Sequence, residues 1–573
     1  MIERRNNPLR AAIVTTLLIG FGCMPGETES DQPTVAVTQA ADVVFSDVTS
    51  AAGIAFEHNN GRSGKKWLPE TLGSGCAFLD YDNDGLLDIF LINSRPWDPP
   101  ADNKTSSKLY RNAGDGTFAD ATSETGLDFS SYGLGVAVGD YDNDGFDDLY
   151  LTSLDGDRLL HNEGGEQFRD VSAASGITNK AFGTSVAFFD YDRDGRLDIF
   201  VDNYVAWSRE SDLWCTLDGD NKSYCTPESY PGVAARLYRN LGDGKFEDVA
   251  EQAGVADPSS KALGTAILDF DDDGLPDIFQ ANDTEPNKLY RNNGDGTFTN
   301  VGISAGVALA EDGTARGAMG VAAADYDRSG RPHLLVGNFS NEMLNLFHNE
   351  GTGLFIDDAP ASEVGRQSLL TLTFGTFFFD YDLDSYLDIF VANGHLEEEI
   401  QKVQPKVRYA QPPQLFRNNG RGAFRLANSE IGEDLVRPIV ARGAAYGDYD
   451  NDGDLDVLVT TNNGPAYLFR NDGGNANSYL RLKLQGVESN RNGYGTKVTV
   501  RAPSGEQTQT LSSGSSYCSA SEAVLTFGLS GDVTVEEAEI VWPSGATQRL
   551  ANIEPNRTWL AHEKDGLRPY PSP

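Results

Sequence analysis

Read for polarity alone, the chain repeats one arrangement along most of its length. An apolar, glycine-rich run such as Gly135–Gly139 leads into a short aspartate-rich segment. A β-branched or aromatic run then leaves it, as in Asp88-Ile89-Phe90-Leu91-Ile92 and Asp198-Ile199-Phe200-Val201. A third run ends in a turn, as in Leu109-Tyr110-Arg111-Asn112 and Leu289-Tyr290-Arg291-Asn292, and a glycine turn feeds a fourth at Gly116-Thr117-Phe118 or Gly296-Thr297-Phe298. Short apolar runs bounded by Gly, Asn and Asp read as strands, so each unit supplies four. A glycine follows eight residues after the fourth-strand Phe: Phe118 to Gly126, Phe168 to Gly176, Phe246 to Gly254, Phe298 to Gly306.

The aspartate segment fixes the repeat. The pattern D-x-D-x-D-G-x-x-D begins at Asp80, Asp140, Asp190, Asp269, Asp380 and Asp448, with a damaged copy at Asp325. Seven units of four strands predict an all-β fold, a seven-bladed β-propeller. The third-strand motif occurs last at Leu468-Phe469-Arg470-Asn471 with no fourth strand after it, whereas the first fourth-strand motif, Phe45 to Gly53, precedes any third strand. Pairing these orphans closes the ring and removes two exposed edges, so the propeller is expected over residues 44–474. Residues 475–565 read as alternating strands with glycine turns, a C-terminal β-sandwich-like domain, followed by a tail at 566–573.

Four carboxylates within nine residues repel one another when bare, by up to about 4 kcal/mol per pair at ~4 Å and a surface-like dielectric. A hard divalent cation removes that penalty, and calcium takes several oxygen ligands in flexible geometry. In the first loop the expected ligands are Asp80, Asp82, Asp84 and Asp88 with the Leu86 carbonyl. The equivalent sets are Asp140, Asp142, Asp144 and Asp148; Asp190, Asp192, Asp194 and Asp198; Asp269, Asp271, Asp273 and Asp277; Asp380, Asp382, Asp384 and Asp388; and Asp448, Asp450, Asp452 and Asp456. An EF-hand is excluded, because position twelve is Leu91, Leu151, Val201, Gln280, Val391 or Val459 rather than Glu, and the flanks are strands. About six Ca2+ ions are expected. The loop at Asp325 has Ser329 and His333 where acids belong and is expected to be empty or weak, and Ser385 replaces the turn glycine in the sixth loop.

Residues 1–23 read as an export signal: Arg4, Arg5 and Arg10 precede the apolar run Ala11–Gly22, which is too short to span a bilayer. Residues 24–43 form a linker. Export would expose Cys215 and Cys225, close together in a polar insertion, to oxidation, and a local disulfide is expected. Cys76 lies in an apolar run and reads as a core residue, and Cys518 has no evident role. A net charge of −41 with no basic run in the body argues against nucleic acid.

The six histidines form no HExxH motif. Gly302-Ile303-Ser304-Ala305-Gly306 matches an esterase elbow by letter but occupies the place of the segment after the fourth strand in other units, so it reads as structural. No catalytic constellation is found, and the chain is not expected to be an enzyme.

Gly22-Cys23 resembles a bacterial lipobox, with Gly20 and Phe21 departing from the usual residues; the resemblance implies lipidation of Cys23. The repeats resemble FG-GAP/VCBS repeats, the calcium-bearing propeller units of integrin α-chains and many secreted bacterial proteins. Residues 475 to about 563 resemble the ASPIC/UnbV domain through Tyr479-Leu480, Ser489–Gly495, Phe527-Gly528-Leu529 and Trp542-Pro543-Ser544-Gly545, as in cartilage-acidic-protein-like proteins. The resemblance implies an extracellular or cell-surface interaction or adhesion module acting on a protein or glycan ligand. The alternative is an enzyme or accessory subunit acting on extracellular polysaccharide. Candidate surfaces are the insertions Ser94–Ser107, Trp207–Tyr230 and His395–Gln414, with Trp97, Trp207, Trp214 and Tyr224 as candidate contacts.

Overall fold

The computed structural model describes residues 43–99 and 105–570. The expected signal segment, its Cys23 and the linker before Val43 lie outside the described residues. Each repeat forms a four-stranded antiparallel sheet whose strands follow chain order. The first blade is Cys76–Leu79, Asp88–Leu91, Lys108–Asn112 and Phe118–Asp120. In the seventh blade, Ala441–Gly447, Asp456–Thr461 and Tyr467–Asp472 are completed by the N-terminal strand Val44–Asp47, with Phe45 opposite Asn471. The innermost strands neighbour one another in cyclic order, Cys76–Leu79 touching both Gly133–Gly139 and Ala441–Gly447. The seven sheets thus form a closed ring, a seven-bladed β-propeller.

The faces between blades are apolar. Phe90 and Leu109 meet Val136 and Leu149 between the first two blades, and Phe377 and Phe390 meet Val457 and Phe469 between the last two. The asparagine ending each third strand ties neighbours together. Asn162, Asn240 and Asn292 donate from Nδ2 to the carbonyls of Tyr81, Tyr141 and Tyr191 in the preceding aspartate loop, at 2.8 to 2.9 Å. Asn112 does the same to Tyr449, so the tie also joins blade one to blade seven. After several fourth strands comes a one-turn helix, Ser172–Ser175, Ala250–Ala253 or Gly302–Ala305, closed by a left-handed glycine at Gly176, Gly254 or Gly306. The recurring glycine supplies the positive φ of the helix C-cap. The serine of the elbow-like pattern therefore lies on a surface turn, and its hydroxyl donates back to Val301 O.

The C-terminal domain has two four-stranded sheets. One is ordered Val524–Gly528, Tyr479–Gln485, Arg557–His562, Gly566–Pro569, and the other Gly505–Thr510, Lys497–Ala502, Val535–Val541, Thr547–Ile553. Leu480, Leu482, Val498, Val500, Phe527, Ile540 and Trp542 fill the space between them. The segment expected to be a free tail instead supplies the edge strand Gly566–Pro569, held by Trp559 opposite Pro569 and His562 opposite Gly566.

The connection Leu511–Ala523 leaves the sandwich and fills the propeller channel. Its backbone and hydroxyls bond to the innermost strand of every blade. Phe78 donates to Ala520 O, Val136 to Cys518 O and Val321 to Ser516 O, at 3.0 to 3.1 Å. Cys518 N donates to Ser185 Oγ at 3.0 Å, Ser512 Oγ reaches Ile267 O at 3.4 Å, and Ser516 Oγ accepts from Thr376 N and donates to Ala444 O. This plug explains why Gly133–Gly139, Gly183–Phe189 and Ala262–Leu268 are buried at every position rather than alternately. It also explains the small residues there: a Cβ on Gly75 would stand 1.8 Å from Cys518 O, and one on Gly443 2.6 Å from Ser519 Oγ. Cys518, which the sequence left without a role, is a buried thiol of the plug, pushed up to about 12 by burial. Cys76 is equally buried, on the innermost strand beside it.

Candidate metal loops and binding face

Each aspartate loop is built to one plan by local hydrogen bonds. In the second, the N–H groups of Asp144 and Gly145 donate to the Asp140 carboxylate at 3.0 and 2.8 Å, Phe146 N donates to Asp144, and Tyr141 N donates to Asp148. The ninth-position carboxylate also accepts the N–H of the third-strand asparagine, as in Asn162 to Asp148 at 2.7 Å. Two positions take left-handed backbone: the fourth (Asn83, Asn143, Arg193, Asp272, Leu383, Asn451) and the sixth (Gly85, Gly145, Gly195, Gly274, Gly453). Ser385 adopts φ +82° at the sixth position without being glycine, and its Oγ accepts from Arg328.

These contacts gather the first, third, fifth and ninth carboxylates and leave oxygens without partners. Asp80 Oδ1, Asp192 Oδ1, Asp382 Oδ1, Asp388 Oδ2 and Asp450 Oδ1 are buried and unpaired. Burial, with the neighbouring carboxylates adding to it, pushes Asp88 and Asp140 up to about 8, Asp277 to about 8, Asp190 and Asp448 to about 7, and Asp80 and Asp269 to about 6. A hard oxygen donor set with orphaned carboxylate oxygens fits a divalent cation of the calcium type. Third-strand cations lean on other oxygens of the third-position carboxylates, Arg111 on Asp82 Oδ2 and Arg239 on Asp192 Oδ2, each at 2.8 Å.

The fifth loop differs chemically. His333 Nδ1 accepts Asn349 N–H at 2.9 Å, the place of the ninth aspartate elsewhere, so its proton lies on Nε2 and is directed at Asp327 Oδ1 at 2.9 Å. His348 joins Asp327 Oδ2 to Glu350 at 2.9 and 3.0 Å. Two imidazole N–H groups thus hold the carboxylate that a cation would hold in the other loops.

The loop face is covered by the C-terminal domain. Fully buried Arg481 pairs with Asp448 and Glu522. Asn492 accepts from Asp140 N and donates to Asp147, each at 2.8 Å, and Asn477 donates to Asp382 O at 2.8 Å. Lys497 meets Asp272 at 2.9 Å beside a cleft of about 580 Å³ between the sandwich and the loops of blades three to five.

Because successive connections alternate between ends of an antiparallel sheet, the insertions after each second strand emerge on the opposite face. There the described parts of the three predicted insertions come together. Trp97 stacks on Tyr132 at 4.6 Å and meets Trp67 and Trp207 at 5.0 and 5.5 Å. Arg209 pairs with Asp98 at 3.0 Å, and Lys66 pairs with Glu397 at 2.7 Å and lies over the Tyr224 ring. Cys215 and Cys225 are disulfide-bonded, tying off a loop that holds Trp214 70% exposed, with Leu213 and Leu217 also exposed. Trp207 is buried and Tyr224 partly so; both pin loops, and Trp214 is the free aromatic. Sequence reasoning missed Trp67, Glu70 and Lys66, which lie outside any long insertion.

Comparison with known families matches this division. The FG-GAP-like repeat model matches residues 80–151, 140–201, 269–336 and 380–459, and the ASPIC and UnbV model matches 486–568. The chain is an FG-GAP repeat protein with a C-terminal ASPIC/UnbV domain. It is 27% identical over 332 residues to human cartilage acidic protein 1, covering 54% of this chain and 45% of that protein, and 26% identical to the mouse protein over 337 residues, covering 54% and 46%. The chain therefore spans about half the length of the curated relatives it matches. Among solved structures, an Agrocybe aegerita lectin described as recognising non-reducing terminal N-acetylglucosamine aligns with a TM-score of 0.37 and 16% identity, covering 69% of this chain and 87% of that one; at that score the likeness carries no functional argument. The damaged repeat at Asp325 falls within the FG-GAP match of 269–336.

Proposed function

We propose that this FG-GAP repeat protein is an exported, calcium-binding interaction module that recognises a protein or glycan ligand through its insertion face. The observation that supports this reading most is the convergence of three separate insertions on one aromatic and acidic surface. The opposite face is largely covered by the C-terminal domain. The disulfide between Cys215 and Cys225 fits an oxidising compartment. Orphaned carboxylate oxygens in the loops at Asp80, Asp190, Asp380 and Asp448, and the shared four-aspartate plan of all six, support calcium as a structural ion that holds the loops in the form that receives the C-terminal domain. The fifth loop needs no cation, because N–H donors of His333 and His348 hold the Asp327 carboxylate in its place.

A glycan array and a surface-protein binding screen, run on calcium-loaded protein and on Trp214→Ala, test the reading. Specific ligands lost in the variant are the expected result. Binding unaffected by Trp214→Ala and by changes at Lys66 and Glu397 would place recognition elsewhere, and release of product from a polysaccharide would make the protein an enzyme.

A further inference from the structure

At the insertion-face end of the channel, hydrogen-bond donors are buried without acceptors. Arg442 is fully buried, and its guanidinium makes no ion pair among the described residues. Its Nε donates to Thr71 O at 2.8 Å and Nη1 to the carbonyls of Ala441 and Gly394, while Nη2 reaches only His395 O at 3.4 Å, leaving a donor over. The contrast with Arg481 is internal to the molecule. That guanidinium, equally buried, lies between two carboxylates.

Two imidazoles belong to the segments around Arg442: His395 O is its Nη2 acceptor, and His58 Nε2 stands 3.3 Å from the Cβ position of Gly73, two residues beyond Thr71. Burial and then the guanidinium push His58 down to about 3 and His395 to about 4, so both are neutral. Their tautomers are fixed by backbone donors: Asn463 N donates to His58 Nδ1 at 3.2 Å and Glu397 N to His395 Nδ1 at 3.0 Å. The ring proton of each therefore sits on Nε2. Both Nε2 atoms are buried, in residues 1% and 2% exposed, and neither has a hydrogen-bond partner. The Tyr517 hydroxyl at the plug tip is unpaired as well, and its ring meets Phe374, which lies beneath the Arg442 guanidinium at 4.1 Å. One acceptor, Asn462 Oδ1, is also unpaired in this region.

A buried charge with no counter-charge and several N–H and O–H donors with no acceptor are each costly in a native interior. In a chain of net charge −41, no described carboxylate bonds to this guanidinium. We propose that Arg442, His58, His395 and Tyr517 form an enclosed site for a small monovalent anion of halide type, chloride in ordinary saline, bound at the upper end of the plugged channel. Such an anion accepts from several donors without requiring geometry of its own, and its charge balances Arg442. It would join the plug tip, blade seven and the segments around His58 and His395.

The test uses the full-length protein with calcium present throughout. Crystals equilibrated in sodium bromide are measured at the bromine absorption edge, with an anomalous peak expected within hydrogen-bond reach of His58 Nε2 and His395 Nε2. Thermal melts in chloride and bromide are compared with melts in gluconate at equal ionic strength. A halide that binds only the native state stabilises it by RT ln(1 + [L]/Kd), which raises the melting temperature on the order of 1 °C or more for a chain of this size. Arg442→Met, which keeps the length and removes the charge, should abolish that difference. An ordered water without anomalous signal at the position, or equal melts in halide and gluconate, would overturn the proposal; the diffraction result needs no variant to fold.

Discussion

Replacing Gly75 by alanine tests whether the plug is an integral part of the propeller core. The added Cβ would lie 1.8 Å from Cys518 O, 2.8 Å from the Cys518 carbonyl carbon and 3.2 Å from Leu134 O. All are backbone atoms, and a contact below 3.0 Å forces one of them to move by more than 1 Å. That movement breaks Val136 N–H to Cys518 O (3.1 Å) and strains Gly75 N–H to Leu134 O (2.8 Å) and Cys518 N–H to Ser185 Oγ (3.0 Å). Each buried group left unpaired costs roughly 1–3 kcal/mol. Two losses and the residual overlap predict a destabilisation of about 3–5 kcal/mol, a large part of the stability of an ordinary domain. Gly531→Ala is the matched control, since nothing lies within 4 Å of its Cβ position and its backbone is not left-handed. Urea unfolding followed by far-UV circular dichroism and tryptophan fluorescence reads both variants. Trp67, Trp97 and Trp207 report the propeller face, while Trp542 and Trp559 report the sandwich. If Gly75→Ala stays within about 0.5 kcal/mol of Gly531→Ala, the plug contributes little and the reasoning fails. Coincident transitions in the wild-type protein are also expected, because a segment of one domain completes the core of the other.

Removing calcium with a chelator should lower the melting temperature substantially and increase proteolysis between residues 472 and 479, since bare loops repel where the C-terminal domain docks; an unchanged melt would reject the metal loops. Asn292→Ala removes donors to Tyr191 O and Pro276 O and should cost about 2–4 kcal/mol by denaturation, with Asn293→Ala, on the surface, near neutral. At His348 burial opposes the charge, but the hydrogen bonds it donates to Asp327 and Glu350 outweigh burial and hold the imidazole above its usual value. Its contribution is therefore complete below the unfolded value of about 6.5 and lost as pH rises through the higher folded value. His348→Gln should flatten the stability profile across that window, and an unchanged profile would refute the histidine substitution for a cation. Reducing Cys215–Cys225, ten residues apart, should cost up to about 3 kcal/mol locally and weaken binding at Trp214 before it alters the global melt.

Much of this architecture is written in local pattern. A unit of four short strands, an aspartate loop and a glycine turn is specified within about sixty residues, because strand alternation, left-handed glycines and Asx contacts are all short-range. The unmatched motif at Phe45 and its counterpart at Leu468 carry ring closure in the same way, since an open edge would otherwise remain at each end. Carboxylate spacing in the loops is equally local, and so is the loss of acids at Ser329 and His333.

What the tertiary structure alone decided depends on contacts between residues hundreds of positions apart. Ser512 to Glu522 is a small polar stretch that reads as a loop, and only the channel turns it into a plug; glycines such as Gly75 and Gly443 show no reason for being glycine until it is in place. The third-strand asparagine was visible as a motif, but its bond to the preceding blade was not, because register between blades is set by packing. Gly566–Pro569 lacks an alternating pattern and becomes a strand because the Arg557–His562 edge awaits pairing. The burial of Arg442 among unpaired imidazoles arises from four separate segments meeting at one end of a ring, an arrangement no local pattern encodes.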